Sequence, residues 1–139
     1  MQRVMALDIG EKRIGVAVSD PLGITAQGLE TYLRKDDVRE DAAHIIALAD
    51  GYRPVKLVFG MPRNMDGSYG AQADYTRAFA EQVLAGWDGE HDFYDERLTS
   101  KSAERVLLEA DMSRAKRKAV IDKIAAVIIL QGYLAAHGS

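Results

Sequence analysis

The order of apolar runs predicts an α/β fold: a mixed five-stranded sheet, three antiparallel strands followed by parallel strands, with helices on both faces. Three observations carry this expectation. Two apolar runs open the chain with only Gly10-Glu11-Lys12 between them, a link short enough for an antiparallel hairpin. A third, weaker run follows turn residues. From residue 37 onward, helical periodicity alternates with short apolar strands, the pattern of parallel αβ units.

Each element has its own signal. Val4 to Ile9 is almost wholly apolar, as a central strand covered on both faces requires. Ile14 to Ser19 is the second strand, and Asp20-Pro21-Leu22-Gly23 supplies turn chemistry. Ile24 to Leu33 is a third strand, weaker and more exposed. Asp37 can cap a helix whose apolar face is Val38, Ala42, Ile45, Ile46 and Ala49, with Gly51 ending it. Val55 to Phe59 is a short buried strand running into the loop from Gly60 to Gly67. The next helix is expected to bury Ala71, Tyr75, Ala78, Phe79 and Gln82, and to stop at Gly86. Phe93 to Glu96 is the fifth strand. Two helices close the chain, one from Thr99 or Ser100 to about Ala110 and one capped by Ser113 that runs to about Ala136. No repeat or linker interrupts the 139 residues, so one domain over 1–139 is expected.

Composition narrows the function. The chain is 47% hydrophobic and 28% charged, an ordinary globular balance, and it has no cysteine for a disulfide frame or a thiolate zinc site. Its apolar stretches, such as Ala125 to Leu130, are too short to span a membrane, and no secretory signal is recognisable. A cytoplasmic protein without a membrane partner is expected. The net charge of −3 argues against nucleic-acid binding by the whole surface, but leaves room for a local basic patch.

Asp8 is the most informative residue. A carboxylate inside an apolar strand is costly unless it is paired, and a divalent metal is one such partner. The plain alternative is an acid at a strand end that bonds to the adjoining turn. In the expected topology the first, fourth and fifth strands lie side by side and parallel, and ligands in open α/β sheets collect at the C-terminal ends of such strands. Asp8 reaches that edge, and so does Asp95 or Glu96; neighbours on a strand face opposite ways, and spacing alone separates the two only weakly. Asp122 is the third acid. It sits in an apolar helical stripe with Ala115, Ala119, Ala125, Ala126, Ile129 and Tyr133, unless it is an edge acid paired with Lys118. Three acids on separate elements can converge on a two-metal site that hydrolyses phosphodiesters. His44, His91 and His137 have no metal-ligand spacing, and neither a serine-nucleophile motif nor a P-loop is present.

Basic residues gather near the same edge. Arg114, Lys116, Arg117 and Lys118 crowd the start of the last helix, where the dipole disfavours cations. Such a run is usually a solvated face; its position just before Asp122 makes phosphate contact an equal reading. Lys12, Arg13, Arg63, Asn64 and Arg97 also lie beside the proposed active edge.

Four motifs in order resemble one family over essentially the whole chain. Asp8-Ile-Gly-Glu-Lys-Arg-Ile-Gly-Val-Ala-Val-Ser-Asp20 is similar to the opening motif of the YqgF/RuvX family, and Gly60-Met-Pro-Arg-Asn-Met-Asp-Gly67 with Gly70 to its central loop. Asp95-Glu-Arg-Leu-Thr-Ser100 and Asp122-Lys-Ile-Ala-Ala126 are similar to its two later motifs. Met61, where leucine is more usual, is a small departure. The resemblance implies a ribonuclease H-like fold and a nuclease that trims the 5′ end of precursor 16S ribosomal RNA, with ribosomal assembly particles as partners; the family has also been called a Holliday-junction resolvase, which would act on branched DNA. It implies Asp8, Glu96 and Asp122 as catalytic acids and ligands of Mg2+ or Mn2+, which also favours Glu96 over Asp95.

Two rivals stand beside this reading. Asp-x-Gly after a first strand also opens the actin-like kinases and ATPases, but those enclose ATP between two such cores and this chain has room for one. A catalytically silent RNA-binding assembly factor would have no use for three retained acids.

Overall fold

The computed structural model describes residues 2–61, 70–95 and 114–136, with side chains at all of them except 71, 72 and 114–122. The expected helix from Thr99 or Ser100 to Ala110, the Ser113 cap and most of the loop from Gly60 to Gly67 fall outside the described residues. The elements are β1 (Arg3–Ile9), β2 (Arg13–Ser19), β3 (Ala26–Leu33), α1 (Val38–Asp50), β4 (Val55–Met61), α2 (Ala71–Ala85), β5 (His91–Asp95) and α3 (Arg114–Ala136).

The sheet has the expected mixed form, in the order β3-β2-β1-β4-β5. The three-residue link folds β2 back antiparallel to β1, and β3 pairs antiparallel with β2. β1, β4 and β5 run parallel, with Leu7, Phe59 and Phe93 in one cross-strand row. β1 and β2 start one residue earlier than expected and β4 runs on to Met61, while β3 and β5 each start two residues away from expectation. β3 starts at Ala26 because the Asp20 carboxylate accepts hydrogen bonds from the Ile24 and Thr25 amides (2.7 and 2.9 Å), which keeps both residues in the turn. β5 starts at His91, earlier than its apolar residues, because the β4 ladder pairs Leu57 with His91 and Val58 with Asp92.

Strand alternation sorts the core into two layers. Met5, Leu7 and Ile9 of β1 face α1 and α2 with Ile14, Val16, Leu57 and Phe59, while Val4 and Ala6 face α3 with Ala17 and Val58. Helix α1 begins at Asp37, whose carboxylate accepts the Arg39 amide hydrogen bond at 2.9 Å. Its buried side includes Ala42, Ile45 and Ala49 as expected, and also Asp41. For α2 the expected face is corrected: Ala73, Thr76, Phe79, Ala80 and Val83 are buried, whereas Tyr75, Ala78 and Gln82 are exposed. The stripe that reaches the sheet runs through the polar Thr76, so apolar periodicity alone misplaced it.

Helix α3 covers the second face with Ala125, Ala126, Ile129, Leu130 and Tyr133 buried. Gly132 permits its close approach, since a Cβ there would collide with the Tyr94 hydroxyl and lie 2.9 Å from the ring carbon that bears it. The Tyr133 hydroxyl donates to Asp92 (3.0 Å) and accepts from the Lys56 ammonium (3.1 Å), which ties α3 to β4 and β5. Among the described residues no helix is long and apolar enough to cross a membrane. Gly132→Ala sets two effects against each other. Alanine favours helix by about 1 kcal/mol, whereas overpacking costs roughly 1–3 kcal/mol. Thermal unfolding is expected to give a lower Tm for the variant; a higher one would mean that the Tyr94 ring moves aside at little cost.

Candidate active site

Asp8 is the penultimate residue of β1, at the C-terminal edge shared by β1, β4 and β5. It has the parity of Val4 and Ala6, so it belongs to the sheet face that α3 covers. It is half-buried. Its partner on β2 is Gly15, and Gly60 follows Phe59, the partner of Leu7 on β4. Neither flanking position carries a side chain.

The other proposed acids are described in part or not at all. Glu96 lies outside the described residues. Asp95, the last described residue of β5, lies opposite Met61. Asp95 has the parity of Phe93, which packs in the α1/α2 layer. Asp122 is within α3, one turn before the buried Ala126, and its side chain is not described. Among the described residues no group of three acidic or histidine side chains could hold a metal ion.

The basic candidates divide in the same way. Lys12, on the turn that follows Asp8, is exposed, and Arg13, the first residue of β2, is half-buried. Arg114, Lys116, Arg117 and Lys118 form the first turns of α3, with side chains not described. Arg63, Asn64 and Arg97 lie outside the described residues.

The turn from Gly10 to Lys12 is closely fixed. The Gly10 amide donates to the Arg13 carbonyl at 2.8 Å, and a Cβ on Gly10 would stand 2.8 Å from that same oxygen, so only glycine fits. Two residues that sequence reasoning missed brace this turn from the α1/α2 side. The Arg34 guanidinium donates to the Gly10 carbonyl (3.0 Å), to the Asp41 carboxylate (3.0 Å) and to the Tyr75 hydroxyl. Asp41 is fully buried and also accepts from the Tyr32 hydroxyl (2.9 Å) and the Lys35 amide (3.0 Å). Burial pushes the Asp41 carboxyl up, but the Lys35 amide, Arg34 and Tyr32 together outweigh it and hold the group below the usual carboxylate range. Burial and the bond to Asp41 push the Tyr32 hydroxyl up to about 12. The signal was available: Asp41 precedes Ile45 by one turn, an acid inside an apolar stripe, the same criterion that singled out Asp122.

A family model described as "RuvX: Holliday junction resolvase" matches residues 2–136. The chain belongs to the RuvX family. It is 54% identical over 138 residues to a protein of Symbiobacterium thermophilum named "Putative pre-16S rRNA nuclease", covering 99% of this chain and 94% of that one. A protein of Halothermothrix orenii with the same name is 54% identical over 132 residues, covering 95% of this chain and 94% of that one. The structure of Thermus thermophilus RuvC in complex with Holliday junction substrate superposes with a TM-score of 0.59 at 16% identity, covering 99% of this chain and 97% of that chain. At that identity the likeness is one of fold, and the fold is ribonuclease H-like as expected. As a RuvX-family member the chain is a nuclease, a hydrolase of phosphodiester bonds.

The depressed Asp41 carboxyl fixes the sign of one pH effect. A carboxylate held below its unfolded value of about 3.9 contributes stability that is present above that value and lost as pH falls through the folded value. Asp41→Asn removes this contribution and leaves the buried Arg34 without its carboxylate, a loss of about 3–5 kcal/mol at neutral pH. In denaturant unfolding between pH 2 and 7, the gap between wild type and variant is expected to be widest above about pH 5 and to narrow below about pH 4. A gap independent of pH would mean that the Asp41 carboxyl titrates alike in the folded and unfolded protein, and a gap that narrows as pH rises would mean that it stays protonated in the fold.

Proposed function

We propose that this RuvX-family nuclease processes the 5′ end of precursor 16S ribosomal RNA in the cytoplasm, on ribosomal assembly particles, and that residues 1–139 act as one domain. The observation that carries the proposal is Asp8, a half-buried carboxylate at the C-terminal edge of a central parallel strand, on the face covered by the helix that contains Asp122. The name shared by relatives about half identical over nearly the whole chain supports the RNA substrate. Branched DNA is the second reading, favoured by the family description and by the fold likeness to RuvC.

Asp8, Glu96 and Asp122 are the proposed catalytic acids. Alternation along β5 supports Glu96 over its neighbour. Asp92 and Tyr94 meet Tyr133 of α3, whereas Asp95 alternates to the α1/α2 side with Phe93, which argues against Asp95 as an acid on the face of Asp8. Carboxylate oxygens are the ligands that Mg2+ or Mn2+ prefers, and Asp8 is flanked by glycine on both neighbouring strands. Asp8, Glu96 and Asp122 would hold it. A divalent cation held there supplies Lewis acidity and makes water a nucleophile at neutral pH. Lys12, Arg13, Arg63, Asn64 and Arg97, together with Arg114, Lys116, Arg117 and Lys118, are the proposed contacts to the nucleic-acid backbone, which position the strand without reading its sequence.

The deciding experiment offers the purified protein, with Mg2+ or Mn2+, a precursor 16S rRNA fragment and a four-way DNA junction side by side. Cleavage of the RNA, lost in Asp8→Asn, Glu96→Gln and Asp122→Asn, is the expected result. Cleavage of the junction alone would move the substrate to branched DNA, and binding without cleavage would make the chain an assembly factor. Asp122→Asn should leave Tm unchanged or higher in the absence of metal, because clustered acids repel one another. Clear destabilisation with activity retained would make Asp122 a structural acid.

The basic run has its own test. Lys116→Gln with Arg117→Gln should weaken RNA binding and flatten the log–log salt dependence by about one unit for each phosphate no longer held. Unchanged affinity and slope would return the run to a solvated face.

A further inference from the structure

We infer that Arg34 is a positioning residue for the reaction at Asp8, acting through the Gly10–Lys12 turn; this rests on reading Asp8 as a catalytic acid. Four separate segments meet at its guanidinium. Arg34 follows directly on Leu33, the last residue of β3, and its amide donates to the Lys12 carbonyl at 2.8 Å. One arm of its fork donates to the Gly10 carbonyl, two residues after Asp8. The Nε edge is held by Asp41 of α1. The group also stacks over the Phe79 and Tyr75 rings of α2, at 4.6 and 5.2 Å from their centroids. The Tyr75 hydroxyl in turn reaches the Glu11 carbonyl at 3.5 Å. Three successive carbonyls of the turn, those of Gly10, Glu11 and Lys12, therefore point at Arg34 or at the tyrosine it holds.

The arrangement exceeds what a surface ion pair requires. The Arg34 side chain is 9% exposed and that of Asp41 0%. Burying such a pair is costly unless the remaining donors and acceptors are met, and here Tyr32 and the Lys35 amide meet those of Asp41. A planar guanidinium serves the carboxylate, the Gly10 carbonyl and the tyrosine at once, whereas a lysine ammonium is a point charge on a flexible stem. Arg34 touches neither substrate nor metal in this reading. It sits on the α1/α2 side of the sheet, Asp8 belongs to the α3 side, and the backbone between them transmits the constraint. Groups of this supporting kind typically change activity roughly 10–100-fold when removed.

The test separates positioning from folding. Arg34→Lys keeps a cation against Asp41 but loses the fork; Tyr75→Phe removes one exposed hydroxyl and leaves the ring. Each is compared with wild type and Asp8→Asn by single-turnover cleavage of the precursor 16S rRNA fragment and of the four-way junction with Mn2+, well below every Tm. Hydrogen exchange is read in parallel at the amides of residues 9–13, without substrate or metal. Arg34→Lys is expected to fold, to lower kcat at least tenfold with a smaller change in KM, and to raise exchange at Gly10 selectively. Tyr75→Phe should move both readouts the same way by several-fold. If Arg34→Lys cleaves at the wild-type rate, or exchange at the turn is unchanged, Arg34 has only a structural role. If Asp8→Asn remains active, it is the reading of Asp8 that fails, whatever Arg34→Lys does.

Discussion

Helix α3 rests on a sheet face built from small residues, and that close contact sets the terms for everything at the active edge. Ala6 and Ala17 on the strands share a layer with Ala126 on the helix, and Gly132 passes over Tyr94 where a methyl group would not fit. Small residues bring little apolar area, so the helix needs other ties. The Lys56–Tyr133–Asp92 chain provides them within the same layer. Its bond to Tyr133 raises the Lys56 ammonium above its usual value, and burial raises the Tyr133 hydroxyl, so both stay protonated over the physiological range. The helix is thereby held in one register over the strand that carries Asp8.

The two sides of the sheet have different work. Large side chains fill the α1/α2 layer: Met5, Leu7, Ile14, Phe59 and Trp87 give it bulk and stiffness. The candidate chemistry belongs to the opposite, smaller-residue layer. Arg34 joins the two, since its partners lie on α1 and α2 while its grip is on the turn that leaves β1. A buried ion pair contributes little net stability by itself. Its value here lies in geometry, because a guanidinium with fixed partners fixes the carbonyls it binds.

Much of this was legible in the sequence where period and punctuation agreed. The β1–β2 hairpin, the parallel β1-β4-β5 core, the Asp37 cap and the limits of α1 all follow from short links, apolar runs and glycine stops. Legibility failed where tertiary pairing overrode local character. His91 and Asp92 are polar yet lie in β5 because β4 recruits them, and Ile24 is apolar yet lies outside β3 because Asp20 binds its amide. The buried side of α2 was misjudged because its stripe runs through Thr76, while Tyr75 turns outward to Arg34. For the candidate site, a carboxylate within an apolar run singled out Asp8, and family motifs supplied the proposal of Glu96. No rule of spacing could have paired Arg34 with Gly10, 24 residues away.

The layer that Asp8 shares is made from the first strand and the last helix, and this has a consequence for timing. Synthesis proceeds from the N-terminus, so Val4, Ala6 and Ala17 leave the ribosome long before Ile129, Leu130 and Tyr133 exist to cover them. A nascent chain can complete the α1/α2 layer, but its second face stays open until α3 has emerged and docked. Unfinished or truncated chains lack the wall beside Asp8. The α3 side of the sheet is therefore the last part of the fold to be completed, and an unfinished chain carries Val4, Ala6 and Ala17 uncovered.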